Sequence, residues 1–388
     1  MRILMLASTP YFSDRGCHVR IFEEARALQQ RGHQVEIVAY HLGRDHGGIP
    51  VSRTPRILWY RKTSAGPSWH KPYLDVLLFF TALKAARRFR PDLIHAHLHE
   101  GAFVGAFLKP LLRVPLLFDC QGSLCGELLD HGFMRRGGLL HRVFAGLERW
   151  IVRRADAIVT SSTPTAEAMR RDHQEIAGRL TSLPDAVDTA SFQPLPADDA
   201  LREKLGIPSG RQVIVYLGAM SEYQGTGLLL DSLAALAARR SDFHALLMGY
   251  PEDAYLARAS ELGLARCVTF TGKLDYAAAA RYLSLGDIAV SPKLSATEAN
   301  GKLLNYLACG LPCVVFDNPV NRELLGAVGC YAVNGDVADF TAVIDHLLSD
   351  PQALAARGRA AREHAVATHS WTARIAILEQ GYVKILPR

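Results

Sequence analysis

The sequence predicts an α/β chain built as two parallel-sheet domains that face a central cleft. Three observations carry this expectation. In the first half, short apolar runs alternate with helical patterns, as buried parallel strands and their crossover helices do. The same alternation restarts after residue 210. Between the two halves lies Phe192-Gln193-Pro194-Leu195-Pro196-Ala197-Asp198-Asp199, Pro-rich and acidic without apolar periodicity, which reads as a linker.

Taken in order, Ile3–Ala7 is the first strand, and an amphipathic helix follows near His18–Arg31. Gln34–Ala39, Leu93–His97, Leu116–Asp119 and Ala157–Ser161 are the next strands. In the second half, Gln212–Leu217, Phe243–Met248, Val268–Thr271, Ile288–Ser291 and Cys313–Phe316 read as strands. Helices are expected near 227–239 and 255–261, and Trp371–Leu386 is a closing amphipathic helix. The expected domains are residues 1–190 and 200–370, with the helical segment 371–388 returning to the first. In open sheets of this kind ligands bind beyond the carboxyl ends of the strands. By pattern alone the chain fits a sugar transferase, a sugar-nucleotide epimerase or a two-lobed binding protein.

Bulk composition narrows the setting. The chain has 388 residues and a formal net charge of +6. Residues 1–190 hold 26 Lys and Arg against 18 Asp and Glu, so the basic surplus sits in the first half. That suits an anionic partner, and it equally suits ordinary Arg-rich solvated faces. The seven scattered cysteines have no zinc-site spacing and read as reduced thiols, which points to the cytoplasm. Met1–Ala7 reads as a buried strand rather than a secretory signal. No apolar run reaches the ~18 residues of a spanning helix.

Several motifs resemble the GT4 family of retaining glycosyltransferases. The strongest is Ile288-Ala289-Val290-Ser291-Pro292-Lys293, Thr297-Glu298-Ala299-Asn300-Gly301-Lys302-Leu303-Leu304-Asn305-Tyr306 and Cys309-Gly310-Leu311-Pro312. Gly16, Gly32-His33, Pro91–His97, Ala155–Val159, Leu183–Asp188 with Phe192-Gln193-Pro194, and Tyr216-Leu217-Gly218 with Gly225 follow in the family's order. The resemblance covers nearly the whole chain. It implies a GT-B fold of two Rossmann-like domains and transfer from a nucleotide-sugar donor, with a UDP- or GDP-sugar expected, to a glycan or lipid-linked acceptor. It implies a metal-independent reaction and no separate cofactor. No Asp-x-Asp sits at a strand end, and no His/Cys cluster has ligand spacing along the chain.

The site residues follow from chemistry laid over that resemblance. A leaving diphosphate gains charge as the glycosidic bond breaks, so cations and backbone amides aimed at it lower the barrier. Asn300, Gly301 and Lys302 are placed to open a helix towards it, with Leu303, Asn305 and Lys293 alongside; a plain helix cap with a surface lysine is the simpler reading. Glu298 matches the family's acid that binds donor-sugar hydroxyls, an interaction that orients the ring. Gly16, Gly218, Gly272 and Lys273 line the donor loops. Gln224 stands where the family has a lysine, Ala219 where it has an arginine, and Asn305 in place of a second acid. Gln121 replaces a histidine at the fourth strand's end, leaving His97 and His99 as acceptor-side groups able to move a proton. Arg135 and Arg136 head a basic stretch interleaved with Phe133, Phe144 and Trp150, which suits peripheral contact with the inner membrane face or an amphipathic helix packed on the core. No nucleic-acid-binding motif accompanies it. The departures also keep open an epimerase and a non-catalytic sugar-nucleotide-binding protein. If Glu298 orients the donor sugar, Glu298→Ala cuts transfer sharply with the fold intact; unchanged turnover would remove that role.

Overall fold

The computed structural model describes residues 1–13, 16–63, 68–130, 133–295 and 300–386. Glu298 lies outside the described residues. The chain divides into two units. The first holds Met1–Asp185 and Trp371–Arg388, the second Ala186–Ala296 and Asn300–Ser370.

The first unit is a seven-stranded parallel sheet. Its strands are β1 (Arg2–Ala7), β2 (Gln34–Ala39), β3 (Val51–Arg53), β4 (Leu93–His97), β5 (Leu116–Cys120), β6 (Ala157–Thr160) and β7 (Leu180–Ser182), in the order β3-β2-β1-β4-β5-β6-β7. The second unit repeats the plan with six strands: β8 (Gln212–Leu217), β9 (Phe243–Met248), β10 (Val268–Phe270), β11 (Ile288–Ser291), β12 (Cys313–Phe316) and β13 (Cys330–Ala332), in the order β10-β9-β8-β11-β12-β13. In both sheets the winding reverses beside the unit's first strand, between β1 and β4 and between β8 and β11. Such reversal points open a crevice at the strands' carboxyl ends.

Strand alternation decides what each face buries. In β4, Ile94 and Ala96 join the apolar core under the helices Lys71–Phe89 and Leu98–Leu112. His95 and His97 therefore emerge on the other face. His97 pairs in register with Asp119 of β5. That face is covered by the helices Gly16–Gln30 and Trp371–Ile385, which pack against each other. Three ties anchor the second of these helices. Trp371 Nε1 donates to Glu23, Tyr382 bonds His95 Nδ1 at 2.8 Å, and Glu379 receives Arg31 at 3.0 Å and His33 at 2.9 Å.

In the second unit, apolar clusters fill both faces of the sheet. The segment expected to be a linker is tied to this unit from its first residue. Phe192 is buried against Tyr276, with ring centroids 5.1 Å apart, and Arg362 donates to the carbonyls of Thr189, Phe192 and Ala308. Among the described residues no helix is long and apolar enough to cross a membrane.

Trp371 combines core burial with a donor to a buried carboxylate. Trp371→Ala should cost about 3–5 kcal/mol in urea unfolding. A loss below about 1 kcal/mol would mean that the helix does not seal that face.

Candidate active site

The donor-side residues gather at the carboxyl ends of β8 and β11. Gly218 follows β8 with φ +152°, and a Cβ there would sit 3.0 Å from Lys302 Nζ. Gly225, at φ +74°, brings the loop so near Pro292 that a Cβ would lie 2.2 Å from its carbonyl oxygen. Glycine thus lets two loops and one ammonium share a narrow space. Lys302 opens the short helix Lys302–Ala308, and its Nζ donates to Gln224 Oε1 at 2.8 Å while sitting 4.6 Å from the Tyr216 ring centre. Lys293 is buried nearby, its Nζ 5.2 Å from the Tyr223 ring centre. Burial, and then the charge of Lys293, lower the Lys302 pKa to about 7. Among the described residues the only hydrogen-bond partner of this ammonium is a neutral amide. A buried cation so placed favours an anion as its missing partner.

Amide side chains fix the loop that carries these lysines. Asn300 Nδ2 donates to Ser291 Oγ at 3.1 Å and to Asn321 Oδ1 at 3.0 Å, and Asn321 Nδ2 donates to the Phe316 carbonyl at 2.8 Å. Asn318 accepts from the Asn321 amide and donates to the Lys293 carbonyl at 3.4 Å. Asn305 Nδ2 reaches Tyr276 Oη at 3.4 Å, leaving its carbonyl oxygen available as an acceptor. Gly301 caps the helix with ordinary right-handed angles. Leu303 departs from the sequence expectation: its side chain is fully buried in the core and its N–H is taken by the Asn300 carbonyl, so it offers a ligand nothing. Gly272 and Lys273 follow β10, where Lys273 Nζ lies 5.5 Å from the Tyr250 ring centre.

In the first unit the candidate residues join a buried charged network. Asp119 accepts from Arg20 Nε and Nη2 at 3.0 Å each, from His97 Nδ1 at 2.9 Å and from Gln121 Nε2 at 2.7 Å. Arg20 Nη1 reaches Asp185 at 2.6 Å, and Arg20 Nε also lies 3.0 Å from Glu24 Oε1. Burial works against charge on Asp119, but Arg20 and then His97 outweigh it and hold the carboxyl well below its usual range. Glu24 goes the other way: burial outweighs Arg20 and raises its pKa. His97 is pushed down by burial, although Asp119 opposes this. His99 does not join the network. Burial opposes its charge, yet Cys120 and Glu148, the latter 3.5 Å away, hold its pKa well above normal.

Glu24, His95, His97 and Asp119 each offer a ligand atom within 4.8 Å of the others. Spacing along the sequence gives no sign of this group, because its members come from three segments, at residue 24, residues 95–97 and residue 119, that only the fold brings together. Arg20 already stands between the two carboxylates, and Asp119 Oδ2 receives three donors. The cluster is accordingly an internal ion pair of Arg20 with Asp119 and Glu24, in which both Glu24 oxygens, His95 Nε2 and His97 Nε2 are buried without a hydrogen-bond partner among the described residues.

Gly16 begins the helix Gly16–Gln30 at the surface, and Arg135 and Arg136 are exposed on the turn before the helix Leu139–Arg154. Sequence reasoning missed Arg20, Glu24, His95 and Tyr382. Two signals were present: the i, i+4 spacing of Arg20 and Glu24, and the alternation of two histidines with Ile94 and Ala96 on one strand.

Residues 15–186 match the family model described as "Glycosyl transferase 4-like domain", and residues 211–350 match "Glycosyl transferases group 1". The chain is 28% identical over 399 residues to the D-inositol 3-phosphate glycosyltransferase of Thermobispora bispora, covering 96% of this chain and 90% of that protein. It is 27% identical over 290 residues to the 2-deoxystreptamine glucosyltransferase of Streptomyces kanamyceticus, covering 72% of this chain and 74% of that protein. Among solved structures, sucrose-phosphate synthase from Thermosynechococcus elongatus superposes with a TM-score of 0.82 at 18% identity, covering 99% of this chain and 98% of that one. Anabaena HepE, solved with UDP and glucose, gives 0.79 at 19% identity over 99% and 100% of the two chains.

Lys302 binds its proton less well folded, with a pKa of about 7, than unfolded, at 10.5. Stability therefore rises with pH across that window, and below it the penalty is complete. Lys302→Met should stabilise the protein by a few kcal/mol, on that linkage, at pH ~6 and by distinctly less at pH ~9. Equal gains in urea unfolding at the two pH values would show an ordinary lysine.

Proposed function

The chain belongs to the GT4 family of glycosyltransferases with the GT-B fold, and from that premise we propose that it is a retaining, metal-independent enzyme whose second unit binds the donor diphosphate through Lys302 and Lys293. The observation that carries this reading is the buried Lys302 ammonium, held by Gln224 at 2.8 Å with no carboxylate among its described partners. An entering diphosphate supplies the missing charge, and the low-dielectric setting strengthens the attraction. Anion binding also raises the lysine's proton affinity, so the cation is present when the leaving group needs it.

In this reading Gln224 orients Lys302, and Lys293 supplies the second charge. Together they take over from the basic pair that the family places at Ala219 and Gln224. Asn305 offers a neutral acceptor to a ribose hydroxyl, and Glu298 fixes the donor sugar. The bond from the sugar's anomeric carbon to the diphosphate breaks with its electron pair leaving on the phosphate oxygen. The acceptor hydroxyl attacks from the same face and passes its proton to that oxygen. The protein's work is then positioning, charge stabilisation and exclusion of water. The acceptor is a glycan or a lipid-linked sugar, taken on the first unit. The UDP-bound relative favours a UDP-sugar as donor.

A thermal-shift screen against UDP-, GDP-, ADP- and dTDP-sugars tests the donor. The matching nucleotide at about a hundredfold excess over Kd should add about 2.7 kcal/mol of stability, and Lys302→Ala should remove most of that gain. No shift with any of the four, in folded protein at millimolar ligand, would count against a working donor site.

A further inference from the structure

Two stretches of the first unit carry cations and large apolar groups but no acid. From His46 to Leu74 the chain has Arg53, Arg56, Arg61, Lys62 and Lys71 without one Asp or Glu; from His131 to Leu147 it has Arg135, Arg136 and Arg142, again without one. The fold joins them. The Trp69 ring lies against Phe133 with centroids 4.8 Å apart, and Tyr60 meets His70 at 5.3 Å. Trp59, Trp69 and Leu139 are 71%, 78% and 79% exposed. The helix Leu139–Arg154 buries only Ile151 and Val152, so Leu140 and Val143 also face solvent in its opening turns.

Single exposed apolar residues are common; a group of them beside unopposed cations is not. Arg53 and Lys71 are neutralised by Asp45 and Glu100. Arg56, Arg61, Arg135, Arg136 and Arg142 are exposed and make no ion pair among the described residues. The chemistry of this face selects its partner. A second copy would set like charge against like. A nucleic acid would use the tryptophans for stacking but has no use for Leu58, Leu139, Leu140 and Val143. A bilayer interface uses all of it: tryptophan at headgroup depth, leucine just below, and arginine on lipid phosphates with its stem along the apolar surface.

We propose that this face of the first unit docks on an anionic bilayer surface, with Trp59, Trp69 and Leu139 entering the headgroup region and the exposed arginines on the lipid phosphates. The proposal deepens the transferase reading, on which it rests for the lipid-linked acceptor alone, since it sets the acceptor-side unit where such an acceptor resides.

The full chain is sedimented with vesicles of phosphatidylcholine alone and of phosphatidylcholine mixed with phosphatidylglycerol. Binding should be at least about tenfold tighter to the anionic vesicles and should fade in about 0.5 M salt. Tryptophan emission should shift to the blue on binding. Arg61→Glu with Arg142→Glu should weaken binding by about fivefold or more per charge, and Trp59→Ala with Trp69→Ala should remove most of the emission shift, each with an unchanged melting curve. Equal binding to both vesicles, or full binding by the double variant, would overturn the proposal. So would tight binding of an oligonucleotide without vesicle binding, or a concentration-dependent dimer that shields the tryptophans. Donor hydrolysis measured without vesicles keeps the two readings separate. Turnover without vesicle binding removes the docking alone, and vesicle binding without turnover leaves the docking and removes the transferase reading.

Discussion

The first unit is organised around one buried ion pair, Arg20 with Asp119. Two nitrogens of Arg20 meet both oxygens of Asp119 at 3.0 Å, and the same guanidinium reaches Glu24 and Asp185. Charges taken out of water at this depth are tolerated only when their partners are held in place. The pair therefore constrains everything that touches it. It fixes the helix Gly16–Gln30 over the carboxyl ends of β4 and β5, it sets the orientation of His97 and Gln121, and through His95 and Tyr382 it extends to the last helix. Breaking one partner would leave an uncompensated buried charge, which costs far more than the net worth of an intact pair.

The second unit solves a similar problem with neutral groups. Its loops after β8 and β11 are tied by Asn300, Asn318 and Asn321 to one another and to backbone carbonyls. Amides satisfy the buried backbone without adding charge. Among the described residues the buried Lys302 ammonium then has a neutral amide as its hydrogen-bond partner. One unit thus pairs its central buried charges with one another, and the other sets a buried cation against a neutral amide.

The strands were legible where they are buried on both faces. Gln34–Ala39, Leu93–His97, Gln212–Leu217, Phe243–Met248, Ile288–Ser291 and Cys313–Phe316 appear with the expected bounds, because a central parallel strand is buried on both faces and so mostly apolar. Val51–Arg53, Leu180–Ser182 and Cys330–Ala332 were not legible. They are three-residue edge strands, too short for a period to show; Val268–Phe270, an equally short edge strand, was nonetheless legible. On the donor side, glycines and lysines stood out because their roles are local. Leu303 misled because a motif position does not say which way a side chain points. The Arg20 network stayed hidden because its members are spread from residue 20 to residue 382 and only the sheet brings them together.

The order in which the chain is made has a bearing on that network. The helix that seals it begins at Trp371, after the whole of the second unit. During synthesis the first sheet and the helix Gly16–Gln30 leave the ribosome long before that seal exists, and domains tend to fold from the N-terminal end as they emerge. The nascent first unit must therefore hold Glu24, His95 and the Arg20 pair beside an open, wettable face until residues 371–385 arrive. The domain that starts first finishes last, and its charged centre stays hydrated until then.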